Sequence, residues 1–439
     1  MKTLHYLYAL LFLSCCAIST IQAAEITVTL PEAIEMARKN NINLQSSAID
    51  LKGAQRDVDT AWNIFLPSVN ATLSNSGSAV VFQDNPIIKA GTNGNNGISA
   101  GLSVQFQLNP ALKNQLDSHG LNYSIQQVSY QQAISEVERN VTKLFYYLLA
   151  ETTNLELQEK NIALAEKQYG KALVNFESGY ASEIEVLSAQ LSVEQLRPSL
   201  QQSENAYEGQ LLAFKVLLGL PLEAEVAVEG ELPDVELSTS VNDLKKNIET
   251  TYSMDLMRLN REAMQNSMAL QKKVDLMPSL MLQAQYGLNL WNSSTKDRFN
   301  EIFSDSATYT VSVSIPLDGH IPGSRTQVSL AKIEDNLAKL ELNRQQTKVQ
   351  LEQSIITQVN TLQNLKDQMQ VAKANLELAQ RVYQMYLTQY EAGYTDNLTV
   401  EDAQQDVFSV EQQIVYLHYQ YASALVDLAY DLQIDIEQL

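Results

Sequence analysis

The residues that most often carry chemistry in proteins are sparse and scattered in this sequence. After the first 24 residues, histidine occurs at His119, His320 and His418, which are too widely spaced to form a metal-ligand motif. The sequence also has no glycine-rich phosphate loop and no nucleophile motif. Its many carboxylates recur at helical spacing, which is typical of a solvated helix face. We therefore expect no catalytic site, no metal and no cofactor, and we predict that the protein is not an enzyme.

The tyrosines are the other residues of this sequence that could form a binding site. Tyr383, Tyr386 and Tyr390 in the second half, with Tyr169 in the first half, would suit an aromatic ligand box. Most of them fall on apolar heptads, where side chains pack between helices. Core packing is therefore the interpretation that the sequence favours.

The charge and the N-terminus limit the class of protein. With 30 basic and 51 acidic residues the net charge is −21 at pH 7, so the surface repels nucleic acid and suits cations or cationic partners. Lys2 precedes an apolar run that ends in small residues at Ala23-Ala24. This run is too short to span a membrane but has the pattern of a cleaved signal peptide. The mature protein is therefore expected to be exported.

Both cysteines, Cys15 and Cys16, lie in this leader. The mature chain is therefore expected to have no disulfide and no thiol chemistry unless cleavage falls before Cys15. The segment Leu11-Phe-Leu-Ser14-Cys15 loosely resembles a lipoprotein cleavage site, which makes Cys15 a candidate for lipidation. Ordinary cleavage near Ala23 or Ala24 is the alternative that we favour.

A duplication supplies the elements that must position any functional group. Phe176-Glu-Ser-Gly179-Tyr180 in the first half returns as Tyr390-Glu-Ala-Gly393-Tyr394 in the second, and apolar heptads precede both copies in register. Seven-residue apolar spacing is typical of helices coiled against neighbours, and a glycine in a polar tip between two such runs marks a helical hairpin. Gly179 and Gly393 are therefore predicted to be the turn residues of two long α-hairpins.

The long runs predict rods. The first extends from about Ala111 to Glu177, which at about 1.5 Å per residue is roughly 100 Å. Its return helix, from Ser182 toward Gly219, contains Pro198, where a kink or local break is expected. The second rod extends from Pro322 to Gln389 and returns from Asp396 to about Leu432.

Upstream of each rod the apolar period changes from helical to two. Residues 98–108 alternate apolar with small or polar side chains, and 69–73 do so more weakly; 280–290 and 307–317 form a second pair. Such strands fit a transmembrane barrel, and also a sheet over a soluble core. Four strands cannot close a barrel, and an open edge cannot sit in lipid. We therefore expect several copies to share one barrel.

These elements predict three segments. Residues 1–24 are the signal peptide, 25–235 a first structural repeat and 236–439 a second. Each repeat is expected to comprise a helix, a β-hairpin and a long α-hairpin. The fold class is α+β, with a duplicated repeat.

Several motifs together resemble one known family. The Leu30-Pro-Glu-Ala-Ile start, the Leu66-Pro-Ser entry to the first hairpin, the two rods and the paired glycine turns resemble the TolC-like outer-membrane efflux proteins over nearly the whole mature chain. The resemblance implies a homotrimer with a twelve-stranded β-barrel in outer-membrane lipid, continued by an α-helical coiled-coil tunnel across the periplasm. It also implies docking to a periplasmic adaptor (membrane fusion) protein and an inner-membrane pump.

The resemblance also suggests pore residues at the helical turns, where tunnels of this family narrow. Relative to the turn glycines, Glu185 matches an acidic position of the first repeat and Tyr390 the turn tyrosine of the second. The family often places two pore-facing acids one turn apart in the second return helix, and here Asp402 keeps its charge while the other position is Thr399. The resemblance thus implies that Glu185 and Tyr390 help to hold the pore shut and that Asp402 faces the pore.

The contacts that hold the pore shut are expected to differ from those of the best-known members of the family. The family often has a basic residue two positions after the second glycine, where this sequence has Thr395. The salt bridge that such a basic residue would form is therefore not expected here. Asp396 and Glu401 would compensate as acids, but Asp396 equally suits a helix N-cap and Glu401 a solvated face.

Two classes of function remain open. The first is an outer-membrane channel of a tripartite efflux or type I secretion system, acting as a passive exit duct. The second is a periplasmic coiled-coil structural or adaptor protein without a channel. The four alternating strands favour the channel, because a spacer has no use for lipid-facing hairpins.

Overall fold

The computed structural model describes residues 26–77, 96–233, 235, 237–292 and 304–436. The predicted signal peptide and the candidate lipidation residue Cys15 lie outside these residues. The strands are β1 (Ile26–Val28), β2 (Ser68–Gly77), β3 (Asn96–Leu108), β4 (Val226–Val228), β5 (Ser279–Asn292) and β6 (Ser304–Ser314). The helices are α1 (Leu30–Asn40), α2 (Ile42–Asp59), α3 (Leu112–Glu177), α4 (Glu183–Leu218), α5 (Val241–Leu244), α6 (Tyr252–Leu276), α7 (Arg325–Glu391) and α8 (Asn397–Leu432). None of the described helices is both long enough and apolar enough to cross a bilayer.

Two long helical hairpins dominate the chain. Helices α3 and α7 have 66 and 67 residues, and each is followed by a return helix of 36 residues. Their bounds agree closely with the rods that the heptads predict. Heptad positions such as Val141, Leu148, Ile355 and Leu362 are buried. The seven-residue apolar period therefore predicts both where the long helices lie in the sequence and which face of each helix is buried.

The local break predicted at Pro198 does not occur. Helix α4 continues through it without a break. A proline in a helix leaves the carbonyl four residues earlier, that of Glu194, without its usual donor. Both residues are exposed, so water can satisfy this carbonyl and the helix persists.

A break occurs instead at Asn41, between α1 and α2. The Asn41 side chain is buried, and its Oδ1 accepts hydrogen bonds from the amides of Asn43 and Leu44. Its Nδ2 donates to the Leu217 carbonyl at 3.0 Å. Asn41 therefore starts α2 as a cap and ties this end of α1 to α4.

Strands β2, β3, β5 and β6 form one antiparallel sheet in the order β2-β3-β5-β6. The central β3–β5 pair joins the two halves of the sequence, with Leu102 opposite Tyr286 and Gln105 opposite Gln283. Among the described strands none pairs with the outer edge of β2 or of β6. Within the part of the chain that the structure describes, this sheet is therefore open at both sides.

The short strands β1 and β4 form a separate parallel pair that the sequence reasoning missed. Three residues are too few to display an alternating pattern. Val28 and Val226 from this pair join a buried cluster with Phe145 of α3 and Phe214 of α4. The pair thus anchors Ile26–Val28 and the inter-repeat linker to the core of the helical hairpins.

The chain divides into two compact units. One is built from segments within Met1–Ser47, Gln131–Thr251 and Leu351–Leu439, and the other from Ala48–Tyr130 and Tyr252–Gln350. The first contains both hairpin turns, and the second contains the four-stranded sheet. Both units draw segments from both predicted repeats.

Candidate functional site

The two hairpin turns have the same backbone geometry. Gly179 and Gly393 both adopt φ of 78°, in the left-handed region. The amide of Tyr180 donates to the Asn175 carbonyl at 2.8 Å, and the amide of Tyr394 donates to the Gln389 carbonyl at 2.9 Å. These are the six-to-one bonds of a Schellman motif, whose left-handed residue is most often glycine. Local backbone chemistry therefore ends α3 and α7 and fixes where the return helices begin.

Capping side chains then start the return helices. Ser182 accepts from the Glu185 amide at 3.3 Å. Asp396 accepts from the amide of Thr399 at 3.0 Å and from its hydroxyl at 2.7 Å. These two hydrogen bonds, the hydroxyl foremost, lower the pKa of Asp396. Of the two sequence interpretations of Asp396, the structure thus supports the N-cap.

Tyr390 connects three helices at the turns. Its hydroxyl donates to Oε1 of Glu185 on α4 at 3.3 Å and accepts from Nδ2 of Asn175 on α3 at 3.4 Å. Burial, followed by the charge of Glu185, raises the pKa of Tyr390. The hydroxyl therefore stays protonated and available as a donor. Two of the candidate gate residues, Tyr390 and Glu185, are thus brought together, and Asn175 completes their network.

The third candidate, Asp402, is exposed on α8. Its neighbour Glu401 is partly buried and accepts a hydrogen bond from Asn397. Burial raises the pKa of Glu401, the Asn397 hydrogen bond opposes this, and the charges of Asp402 and Glu185 add to the increase. The carboxyl of Glu401 is therefore only partly solvated, and it shares a hydrogen bond with the first residue of α8.

An amide ladder lies above the turns, between α3 and α8. Gln404 donates to Oδ1 of Asn161 at 2.8 Å and accepts from Nε2 of Gln168, and Gln412 donates to Asn154 at 2.7 Å. Asn161 is 5% exposed and Gln404 is 7% exposed. Because buried amides cost free energy when unpaired, the ladder fixes the register between the two hairpins.

Sequence reasoning missed this ladder, although a signal exists. Amide side chains recur every seven residues along α3, at Asn154, Asn161, Gln168 and Asn175. An amide heptad that runs beside an apolar one indicates a polar seam between helices. The apolar heptad alone does not reveal this seam.

The arrangement suits a mechanical role. Among the described residues no group of three or more His, Cys, Asp or Glu side chains could hold a metal ion. The contacts at the turns are hydrogen bonds and an exposed ion pair, Lys171 with Glu391 at 3.6 Å. Such bonds contribute about 1 kcal/mol each and can be exchanged for bonds to water. The turns can therefore hold hairpins together reversibly.

The open sheet has two different faces. One carries apolar side chains that are exposed in the chain, including Leu73 at 76% and Val311 at 65%. The other carries serine, threonine, asparagine, glutamine, glycine and one methionine, and no charged residue lies on this polar face within the four described strands. An exposed apolar face opposite a polar face fits a wall between lipid and water.

Comparison with known proteins identifies the family. The family model described as outer membrane efflux protein matches residues 33–220 and 225–430. The toluene efflux pump outer membrane protein TtgC of Pseudomonas putida is 22% identical over 398 residues, covering 88% of this chain and 79% of that protein. The antibiotic efflux pump outer membrane protein ArpC of Pseudomonas putida has the same identity and coverage.

Solved structures of outer-membrane channels share the fold. The CmeC channel of Campylobacter jejuni superposes with a TM-score of 0.74 at 16% identity, covering 92% of this chain and 85% of that chain. The open state of the MtrE channel of Neisseria gonorrhoeae gives 0.73 at 12% identity, covering 96% and 94%. The predicted fold class and the predicted location in the outer membrane are confirmed. The family model for outer membrane efflux proteins matches most of the length of this chain. The chain therefore belongs to the outer membrane efflux protein family.

Proposed function

We propose that the protein is the outer-membrane exit duct of a tripartite efflux system. The observation that carries this proposal is the open sheet, with one exposed apolar face, one uncharged polar face and two unpaired edges among the described strands. Unpaired strand edges are not tolerated in lipid, so the barrel must be completed by further copies. Three copies of a four-stranded sheet supply twelve strands, in keeping with the resemblance noted in the sequence.

The hairpin turns would form the gate of this duct. Tyr390 and Glu185 link α7 to α4, and breaking their hydrogen bond would let the turns of the two hairpins move apart below the amide ladder. Around a three-fold axis Asp402 would occur three times, forming a ring of negative charge that attracts cations. Glu185 and Tyr390 thus serve as a latch, Asp402 as a charge filter, and Gly179 and Gly393 as the turns that present them.

The partners would be a periplasmic adaptor and an inner-membrane pump. Tyr180 is 88% exposed and Tyr394 is 84% exposed, so each turn presents an aromatic side chain. Exposed tyrosine is enriched at protein interfaces. The names of the relatives favour efflux of small molecules over secretion of polypeptides. The duct itself would be passive, because the turns offer hydrogen bonds and charge without catalytic groups.

Single-channel recording in planar bilayers tests the proposal. The native protein should form a low-conductance, cation-preferring channel. Tyr390→Phe should raise the resting conductance, because it removes the hydroxyl that bonds Glu185. Asp402→Asn should lower the cation preference without that increase.

Matched variants separate these effects from general damage. Tyr394→Phe alters an exposed turn tyrosine and should leave the conductance unchanged. Asp402→Glu keeps the charge and should keep the selectivity. Unchanged selectivity in Asp402→Asn would show that Asp402 does not line the pore. Unchanged conductance in Tyr390→Phe would show that Tyr390 only packs between helices. A soluble protein without conductance would instead indicate a periplasmic spacer.

A further inference from the structure

Helices α3 and α8 are joined by polar side chains in an antiparallel register. Asn161 on α3 is hydrogen bonded to Gln404 on α8. Closer to the start of α3, the Nζ of Lys143 lies 2.6 Å from Oδ2 of Asp427, which is farther along α8. Because the two helices run in opposite directions, the position of one pair predicts the residues of the next.

The next pair of charges in this register, Arg139 and Asp431, is open among the described residues. Each lies one helical turn beyond the lysine–aspartate ion pair. The guanidinium of Arg139 stacks on the ring of Tyr430, 4.3 Å from its centroid, and its Nε is buried without a hydrogen-bond partner. Oδ2 of Asp431 accepts a hydrogen bond from Nε2 of Gln358 at 2.7 Å. Contacts to other side chains thus hold each charge, and the two do not neutralise each other directly.

Both charges line one cavity. It has a volume of about 670 Å³ and is formed by α3, α4, α7 and α8, within the compact unit that contains the hairpin turns. Tyr147 and Tyr419 also line it, with ring centroids 5.5 Å apart and ring planes at 78°. Cavities of this size hold small-molecule ligands. This cavity therefore offers a cation, an anion and two aromatic rings to one molecule.

The charges of the lining determine which molecule fits. A planar guanidinium forms two parallel hydrogen bonds to a carboxylate, and Asp431 would bond an ammonium group. Oε1 of Gln358, which is buried without a partner, is a further acceptor beside Asp431. A simple anion would meet the charge of Asp431, and a simple cation that of Arg139. A molecule with both charges satisfies both walls, and an aromatic group on it can pack edge to face on the tyrosines.

We propose that this cavity binds small dipolar aromatic compounds that carry a carboxylate and a protonated amine. The carboxylate bonds Arg139 and the amine bonds Asp431, which completes the open pair. In the duct of the proposed function, on which this role rests, the cavity is a stopping place for such compounds on their way out. Binding itself requires only the four helices.

Calorimetric titration of the detergent-purified protein tests the site. Three probes share an aromatic ring and differ in charge: free phenylalanine carries both charges at pH 7, benzoate only the negative one and 2-phenylethylamine only the positive one. Phenylalanine should bind at least roughly tenfold more tightly than either single-charge probe, because each charged hydrogen bond contributes that much or more. Equal affinity for the three probes, or no binding of phenylalanine, would overturn the proposal.

Two variants assign the charges to the two residues. Arg139→Gln should weaken phenylalanine and benzoate by roughly tenfold and leave 2-phenylethylamine unchanged. Asp431→Asn keeps an acceptor for Gln358 and should weaken phenylalanine and 2-phenylethylamine while leaving benzoate unchanged. This crossed pattern distinguishes a ligand site from general damage, which would weaken all three probes. Loss of all three in both variants, with the native probes equal in affinity, would contradict the site.

Matched controls lie on the same helices outside the cavity. Arg197→Gln removes an arginine of α4 that pairs with Glu166, and Asp367→Asn changes an aspartate of α7 that accepts from Gln363. Both should bind phenylalanine as the native protein does. Because binding is measured without conduction, the two proposals fail separately. Conductance without phenylalanine binding would overturn the site and leave the duct intact, whereas binding to a protein that does not conduct would support the site and remove the duct.

Discussion

At the scale of the residue, the turn glycines show most clearly how the sequence dictates the structure. Gly179 and Gly393 hold the same left-handed φ and lie between the same kinds of flanking residues. An added Cβ would meet no atom within 4 Å at either site. The requirement for glycine is therefore conformational and does not come from crowding.

This distinction gives a prediction for Gly179→Ala. The left-handed backbone should cost an alanine about 1–2 kcal/mol. Amide hydrogen exchange at Tyr180 should therefore become roughly tenfold faster, since exchange reports local opening free energy. Gly170→Ala is the matched control: Gly170 lies inside α3 with open space around it, so alanine should leave exchange unchanged or slow it. Equal effects of the two variants would contradict the turn assignment.

Glu401 gives a prediction for pH. Burial and the nearby acids raise its pKa in the folded protein, so its neutral form is the one that the fold favours. Its contribution to stability is fully present below its ordinary pKa and is lost as the pH rises through the raised value. The turn should therefore be held more firmly in acid.

Spontaneous channel openings in planar bilayers should thus become more frequent as the pH is raised from about 4 to about 7. Glu401→Gln, which is neutral throughout, should flatten this dependence. Glu183→Gln, at an exposed acid in the first turn of α4, should retain it. A native channel whose opening rate does not change with pH would exclude Glu401 from the gate.

Residue-scale features divide into those with a local signal and those without one. Glycine turns and the Asp396 cap depend on neighbours in sequence, so both could be anticipated. The burial of Glu401 and the partnership of Asn175 with Tyr390 depend on helices distant in sequence. Propensity and periodicity carry no information about which distant carboxyl a side chain will meet.

At the scale of the element, heptads predicted the rods because apolar side chains recur on one side of each helix, where residues such as Val141, Leu148, Ile355 and Leu362 are buried. The β2–β3 and β5–β6 hairpins were predictable for the analogous reason that alternation places apolar residues on one face. The β1–β4 pair was missed because three-residue strands are defined by their partner. The expected break at Pro198 did not occur because its freed carbonyl is open to water.

The register of the strands gives a prediction at this scale. Leu102 and Leu282 lie on the exposed apolar face, and Ser103 and Gln283 lie on the polar face. Arginine at either leucine should destabilise the assembled barrel by about 2–4 kcal/mol near the membrane midplane, whereas arginine at Ser103 or Gln283 should be tolerated. The measurement is the fraction of heat-modifiable, assembled protein in the outer membrane. Equal tolerance at all four positions would contradict the assigned orientation.

At the scale of the whole molecule, charge is unevenly distributed. The chain has a net charge of −21, yet the polar face of the four described strands carries no charged residue. A neutral wall discriminates poorly between ions, so selectivity is expected to come from the acidic helical turns. The effect of Asp402→Asn on ion selectivity therefore tests whether the acidic turns, and not the barrel wall, select the ions.

The most direct test of the account is the mass of the mature protein purified in detergent, because an open four-stranded sheet must be completed by other copies. Native mass spectrometry should give a single species with three times the mass of one mature chain, and dilution should not release monomers while the detergent is present. A stable monomer, soluble without detergent, would contradict the shared barrel and with it the assignment of the protein as an exit duct.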